Sequence, residues 1–144
     1  MRTFIRMLVL LPALILGSCG GGGGSDEGQG PLPASVLGQE YLIGFGETIH
    51  VGSLALEFTT LAEESRCPLN ANCVWAGNAR ILVTATLGGT TEVMELNTYA
   101  GYQVRSTFQG YLIELRRLQP DIPWAPRGPL EDYTATLFVD RASN

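Results

Sequence analysis

The stretch from Glu64 to Gly77 reads ESRCPLNANCVWAG, and its two cysteines, Cys67 and Cys73, carry the most obvious chemistry in the chain. They could hold a metal, cycle as a redox pair or close a disulfide. A zinc site wants four ligands in tight pairs, and His50 is the only histidine. A thioredoxin-type pair has two residues between its thiols and opens a helix. Here five residues intervene, and Pro68 with the Asn70/Asn72 pair suits a tight turn instead. The metal and redox readings lack their residues. A disulfide staple remains, contributing about 2 kcal/mol for so short a ring, provided that the chain reaches an oxidising compartment.

Catalytic groupings are sparse. A nucleophilic triad would need His50 beside a serine and a carboxylate, and no serine sits in a nucleophile-elbow pattern. His50 is expected on the polar face of a strand. Glu63 and Glu64 are neighbours, so in extended chain they point apart, and the same holds for Glu92 and Glu95 across a strand. Neither pair can flank a glycosidic bond, and both are expected in solvent. In PDIPWAPRGPLED, Pro120, Pro123, Pro126 and Pro129 recur every third residue, the period of a polyproline helix. Trp124 and Arg127 are offered beside them, the residue types that dominate interface hot spots. Asp121, Glu131 and Asp132 follow no calcium-loop pattern. No catalytic residue, cofactor or metal is expected.

The compartment is written at the amino terminus. Arg2 and Arg6 precede an apolar run, Met7–Leu16, and two small residues, Gly17 and Ser18. Basic head, apolar middle and small-residue exit make a secretory signal peptide; the run is too short for a membrane span, which needs about 20 residues. Leu16-Gly17-Ser18-Cys19 resembles the lipobox of bacterial lipoproteins. The resemblance implies that Cys19 receives a diacylglycerol, that residues 1–18 are removed and that the new amine is acylated, commonly with palmitate. Several acyl chains hold a protein to lipid far more firmly than one. Gly20 stands where an aspartate would imply inner-membrane retention, so the resemblance implies a cell-envelope protein at the outer membrane. With Cys19 committed to lipid, Cys67 and Cys73 are left as an even pair in an oxidising space.

Residues 19–35 follow as a lipidated cysteine and tether. Such a glycine-rich segment cannot offset its ordering entropy and has a reach of roughly 20–25 Å. The β domain is placed at 36–144. All nine basic residues are arginines, and two leave with the signal, so seven face fourteen acids, a net charge of −7. That balance argues against nucleic acid.

Period-two alternation dominates the domain. Leu54, Leu56 and Phe58 share a face, as do Ile81, Val83, Ala85 and Leu87, and Tyr133, Ala135, Leu137 and Val139. Thr48–Val51, Thr91–Leu96, Tyr102–Phe108 and Tyr111–Leu118 read as further strands. Gly88-Gly89 and Gln109-Gly110 read as hairpin turns, and LEFTTLAEESR leaves room for a helical turn near Ala62. The expectation is an all-β fold, a small antiparallel sandwich or barrel of six or seven strands with one disulfide. Up-and-down and Greek-key orders are both compatible. The stapled loop joins two strands, with Trp75 folding back over it as a lid.

SRCP, four residues, then CVWAG is similar to a family of small bacterial secreted and lipoprotein domains. In that family the same cystine loop links two strands, and a later strand ends near GY and a proline, here Gly110-Tyr111 and Pro120. The resemblance implies export and a β fold and carries no activity. The reading that follows is a lipid-anchored, non-catalytic envelope module. It would bind a protein or other envelope partner through Asn70, Asn72 and Trp75 of the cystine loop and Trp124 and Arg127 of the proline-rich loop. An inhibitor of an extracellular or periplasmic hydrolase, inserting PLNAN, is the alternative.

Overall fold

Apolar side chains spaced two apart need a partner layer, and the fold supplies one for each alternating run. A computed structural model describes residues 32–121 and 128–143. Its strands are β1 (Gln39–Gly44), β2 (Thr48–Val51), β3 (Leu54–Glu64), β4 (Ala79–Leu87), β5 (Thr90–Asn97), β6 (Arg105–Phe108), β7 (Tyr111–Gln119) and β8 (Thr134–Arg141). They form two four-stranded antiparallel sheets, ordered β1-β8-β7-β6 and β2-β3-β4-β5. Along β4 every odd-numbered residue is buried and every even one is half-buried, so the alternation read from the sequence is the alternation that forms the core. Leu54, Leu56 and Phe58 from one sheet meet Ile113, Leu137 and Val139 from the other in one cluster.

Every hydrogen-bonded strand pair is adjacent in sequence except β1 with β8, which closes one sheet. The order is therefore up-and-down, and the Greek-key alternative falls. Phe45 and Gly46 carry the chain between sheets: the Phe45 amide donates to the Tyr133 carbonyl at 2.9 Å and the Gly46 amide to the Phe58 carbonyl at 2.8 Å. Gly88 and Gly89 both have positive φ, 56° and 79°, as the expected two-residue hairpin requires. Gln109 and Gly110 repeat that turn at 48° and 81°.

Eight strands stand where six or seven were expected, and β1 is the addition. Its apolar residues Tyr41, Leu42 and Ile43 are consecutive rather than alternating, so periodicity misses them. Pairing with β8, distant in sequence, makes the strand: Gln39 lies opposite Val139 and Gly44 opposite Thr134. The helical turn near Ala62 does not form. β3 runs on to Glu64 with register shifts between Phe58 and Thr60 and between Leu61 and Glu63, so the broken alternation marks two β-bulges. β6 begins at Arg105 rather than Tyr102, because Tyr99–Tyr102 closes a turn, the Tyr102 amide donating to the Tyr99 carbonyl at 3.0 Å. Leu32, read as part of the tether, is 1 % exposed, and its amide donates to the Tyr111 hydroxyl at 2.6 Å.

Candidate interaction surface at the loop end

Antiparallel up-and-down order sends alternate connections to opposite ends of the strands. The β2–β3, β4–β5 and β6–β7 turns lie at one end, as the Gln109 side-chain amide donating to the Leu87 carbonyl at 3.0 Å shows for two of them. Leu32 packs there too, 3.3 Å from where a Cβ on Gly52 would stand. The cystine loop (65–78) and the tyrosine loop (98–104) gather at the other, where β7 also ends. The described chain therefore enters at the end away from its longest loops.

The base of the cystine loop is cinched in four ways. Cys67 and Cys73 are disulfide-bonded with Cα atoms 5.8 Å apart, as expected. The Ser65 amide donates to the Asn78 carbonyl at 2.7 Å, and the Asn78 amide returns to Ser65 Oγ at 3.1 Å. Gly77 has no room for a side chain, since a Cβ would lie 1.7 Å from the Ser65 carbonyl oxygen. Finally, Arg66 reaches back to Glu64, with Nε 2.8 Å from Oε1 and Nη2 on Oε2, and its Nη1 donates to the Leu118 carbonyl at 2.7 Å. This fork ties the loop to β7 in the opposite sheet. The Glu64 side chain is 4 % exposed, so the expectation that Glu63 and Glu64 are both solvated holds for Glu63 alone. The bulge at Ala62 changes which way Glu64 faces, and the guanidinium two residues on offsets the burial of its charge.

A cleft of about 340 Å³ opens beside this base, lined among others by Arg66, Gly77, Tyr99, Arg116, Arg117 and Asp121. A register shift between Leu115 and Arg117 breaks the alternation of β7 and leaves Arg116 and Arg117 both exposed. Each guanidinium already has a carboxylate. Arg116 meets Glu114 at 3.1 Å and stacks 4.6 Å from the Phe138 ring centre. Arg117 is held by Asp121, with Nε 2.6 Å from Oδ1. The hydrogen bonds from Arg117 hold the Asp121 carboxyl below the usual carboxylate range. With its positive charges matched in this way, the cleft offers no ready seat for an anion.

Above the cinched base the loops present apolar side chains to solvent. Trp75 is 77 % exposed and Val74 86 %, so Trp75 does not fold back as a lid. Leu69 projects from the stapled turn, and Tyr99 and Tyr102, rings 5.6 Å apart and edge to face, project from the neighbouring loop. Asn70 and Asn72 are exposed on the cystine loop, as a binding role would require. Trp124 and Arg127 lie outside the described residues, as does Cys19. His50 is exposed in the middle of β2, on a polar face, and no other histidine exists to join it. Among the described residues no three His, Cys, Asp or Glu side chains are placed to share a metal ion.

Sequence reading did not single out Tyr99, Tyr102 or Val74, because an apolar residue between strands carries no periodic signal of which way it faces, and Leu69 entered only as part of PLNAN. The chain matches no protein-family model, no curated protein and no solved structure.

Proposed function

We propose that this chain is a lipid-anchored protein of the bacterial cell envelope, acylated at Cys19 and held at the outer membrane, whose β domain acts as a non-catalytic binding module. The loop end makes the contact. One observation carries this: Trp75 is 77 % exposed on a loop whose base is fixed by a disulfide, a buried ion pair and a two-way hydrogen bond. A free loop could bury its tryptophan, whereas this one is held presenting it. Preorganised aromatic side chains bind with little ordering cost, and tryptophan and tyrosine are hot-spot residues. Entry of the chain at the opposite end leaves the loops unobstructed by a tether. Trp124 and Arg127, which follow β7 in the sequence and lie outside the described residues, are the further contact residues of this reading.

The test is made in intact cells. A photo-reactive residue in place of Leu69 should form adducts with an envelope component, and one in place of Thr90, at the other end, should not. Equal capture at both positions, or none at Leu69, ends the reading. Cys19→Ala should release the protein from the membrane fraction; retention there would remove the anchor.

A hydrolase inhibitor is the second reading, favoured by the turn inside the cystine ring. The Ala71 amide donates to the Pro68 carbonyl at 3.1 Å, holding Leu69 outward at 59 % exposure. Inhibition of a protease or muramidase that disappears on reduction supports it, and a panel without one inhibited member removes it.

A further inference from the structure

At the loop end, two loops are chemically unlike the rest of the molecule. The chain carries fourteen Asp and Glu residues and nine arginines, yet Cys67–Ala79 and Leu96–Val104 contain no Asp, Glu, Lys, Arg or His. These runs form the cystine loop and the tyrosine loop. At the foot of these loops Arg66 and Arg117 are each taken up by a carboxylate. Arg80 and Glu95, which border the runs, pair with each other at 3.2 Å, and Arg105 borders the second run, exposed. What the tip displays is Leu69, Val74, Trp75, Tyr99 and Tyr102, all exposed by 47 % or more.

We propose that this tip inserts into the interfacial layer of an uncharged lipid surface. Resting on the reading of the loop end as the binding site, this names what it binds. A lipid surface fits better than a glycan or a protein for three reasons. Tryptophan and tyrosine concentrate at the membrane–water interface, where an apolar ring and a polar tip are both satisfied. Leu69 and Val74 are branched aliphatic tips that a sugar face cannot use but acyl chains can, and Val74 is the most exposed of the five at 86 %. A protein interface of ordinary size carries a charged or polar rim, whereas insertion requires that the inserted loops carry no charge, which is the composition of the cystine loop from Cys67 onward and of the tyrosine loop. The acidic balance of the domain selects against anionic headgroups, so neutral lipid is the partner and salt has no grip on the interaction.

The chain from Gly20 onward keeps every member of the described core, whose first residue is Leu32. With its disulfide intact and no acyl group, it should co-sediment with phosphatidylcholine vesicles, and added salt should leave the bound fraction unchanged. Replacing Val74 and Trp75 together by serine should weaken partitioning at least about tenfold while the thermal midpoint stays put. Failure of the unaltered chain to sediment, or equal sedimentation of the double variant, overturns the proposal. So does binding confined to phosphatidylglycerol vesicles and abolished by salt. Retention on purified cell-wall glycan without vesicle binding overturns the lipid assignment. In that case, or if Leu69 captures a protein in cells while vesicles are ignored, the loop end still stands as a binding site. Silence in both experiments brings down both.

Discussion

The Asn78 side-chain amide donates to Asn97 Oδ1 at 2.8 Å, joining the foot of the cystine loop to the end of β5 inside the protein. Both residues are buried, 5 % and 4 % exposed, and they are the polar residues of the described core. Asn78 Oδ1 also accepts from the Tyr99 amide at 3.1 Å, and the Asn97 amide nitrogens reach the Gln103 carbonyl. One side chain thus sets the cystine loop and the tyrosine loop against each other, so the exposed aromatics of both loops are positioned by a buried pair.

Asn78→Ala should cost about 2–3 kcal/mol, since it leaves the buried Asn97 Oδ1 without its donor and removes the acceptor of the half-buried Tyr99 amide. Urea titration of Asn78→Ala, Asn97→Ala and the double variant should give a coupling of at least about 0.5 kcal/mol. Strict additivity would mean that the two amides act separately.

Gly77→Ala should lose about 3 kcal/mol or more, because overpacking against backbone has no flexible neighbour to absorb it. The added methyl group would stand 2.6 Å from the Arg66 Cα as well as against the Ser65 carbonyl. Ala76→Ser, one residue away and exposed, should change stability by less than about 0.5 kcal/mol. Similar melting curves for both variants would show that the loop base can open without consequence.

Glu64→Gln should destabilise by about 3 kcal/mol, as loss of one partner from a buried ion pair does. Its neighbour Glu63, with a side chain 45 % exposed, is the control, and Glu63→Gln should be nearly silent. Replacing Glu64 and Arg66 together by leucine should cost less than Glu64→Gln alone, since no unmatched charge is left inside. Equal effects at Glu63 and Glu64 in denaturant titrations would dismiss the buried fork.

Asp121 gives the pH signature. Its folded carboxyl is held low chiefly by the hydrogen bonds from Arg117, opposed next by desolvation, with the charges of Arg117 and then Arg66 lowering it further. A depressed folded value favours the ionised form in the native state. The stabilisation is therefore present above the ordinary aspartate range near about 3.9 and is lost as pH falls through the folded value. The difference in thermal midpoint between the unaltered protein and Asp121→Asn should be constant near neutrality and vanish in acid. A difference that persists at the lowest pH would exclude ionisation of Asp121 as its source. Because the pair stands in solvent, the effect is a small one.

The legible part of the fold was the part governed by neighbours in sequence. Ile81 to Leu87 alternate because one face of a strand meets the core. Gly88 and Gly89 sit in a turn because only residues tolerating positive φ can fill it. Cys67 and Cys73 pair because a turn six positions long brings their Cα atoms to 5.8 Å, within disulfide reach. β1 was not legible, since its partner is β8 and nothing local marks it. Nor was the pairing of Arg66 with Glu64, because two bulges in β3 alter which way its last residues face, and a bulge is set by the strand opposite.

By itself, the sequence determined an all-β domain, its hairpins, its covalent staple and the small number of chemical groups available for catalysis. Those properties follow from composition and from repeats of two residues, which each strand carries within itself. Only the tertiary structure decided that Trp75, Tyr99 and Tyr102 are displayed together at the end away from the incoming chain, and that Glu64 goes inside. Both depend on which strand ends lie side by side once two sheets close on one core, and that is fixed by contacts between residues far apart in the chain.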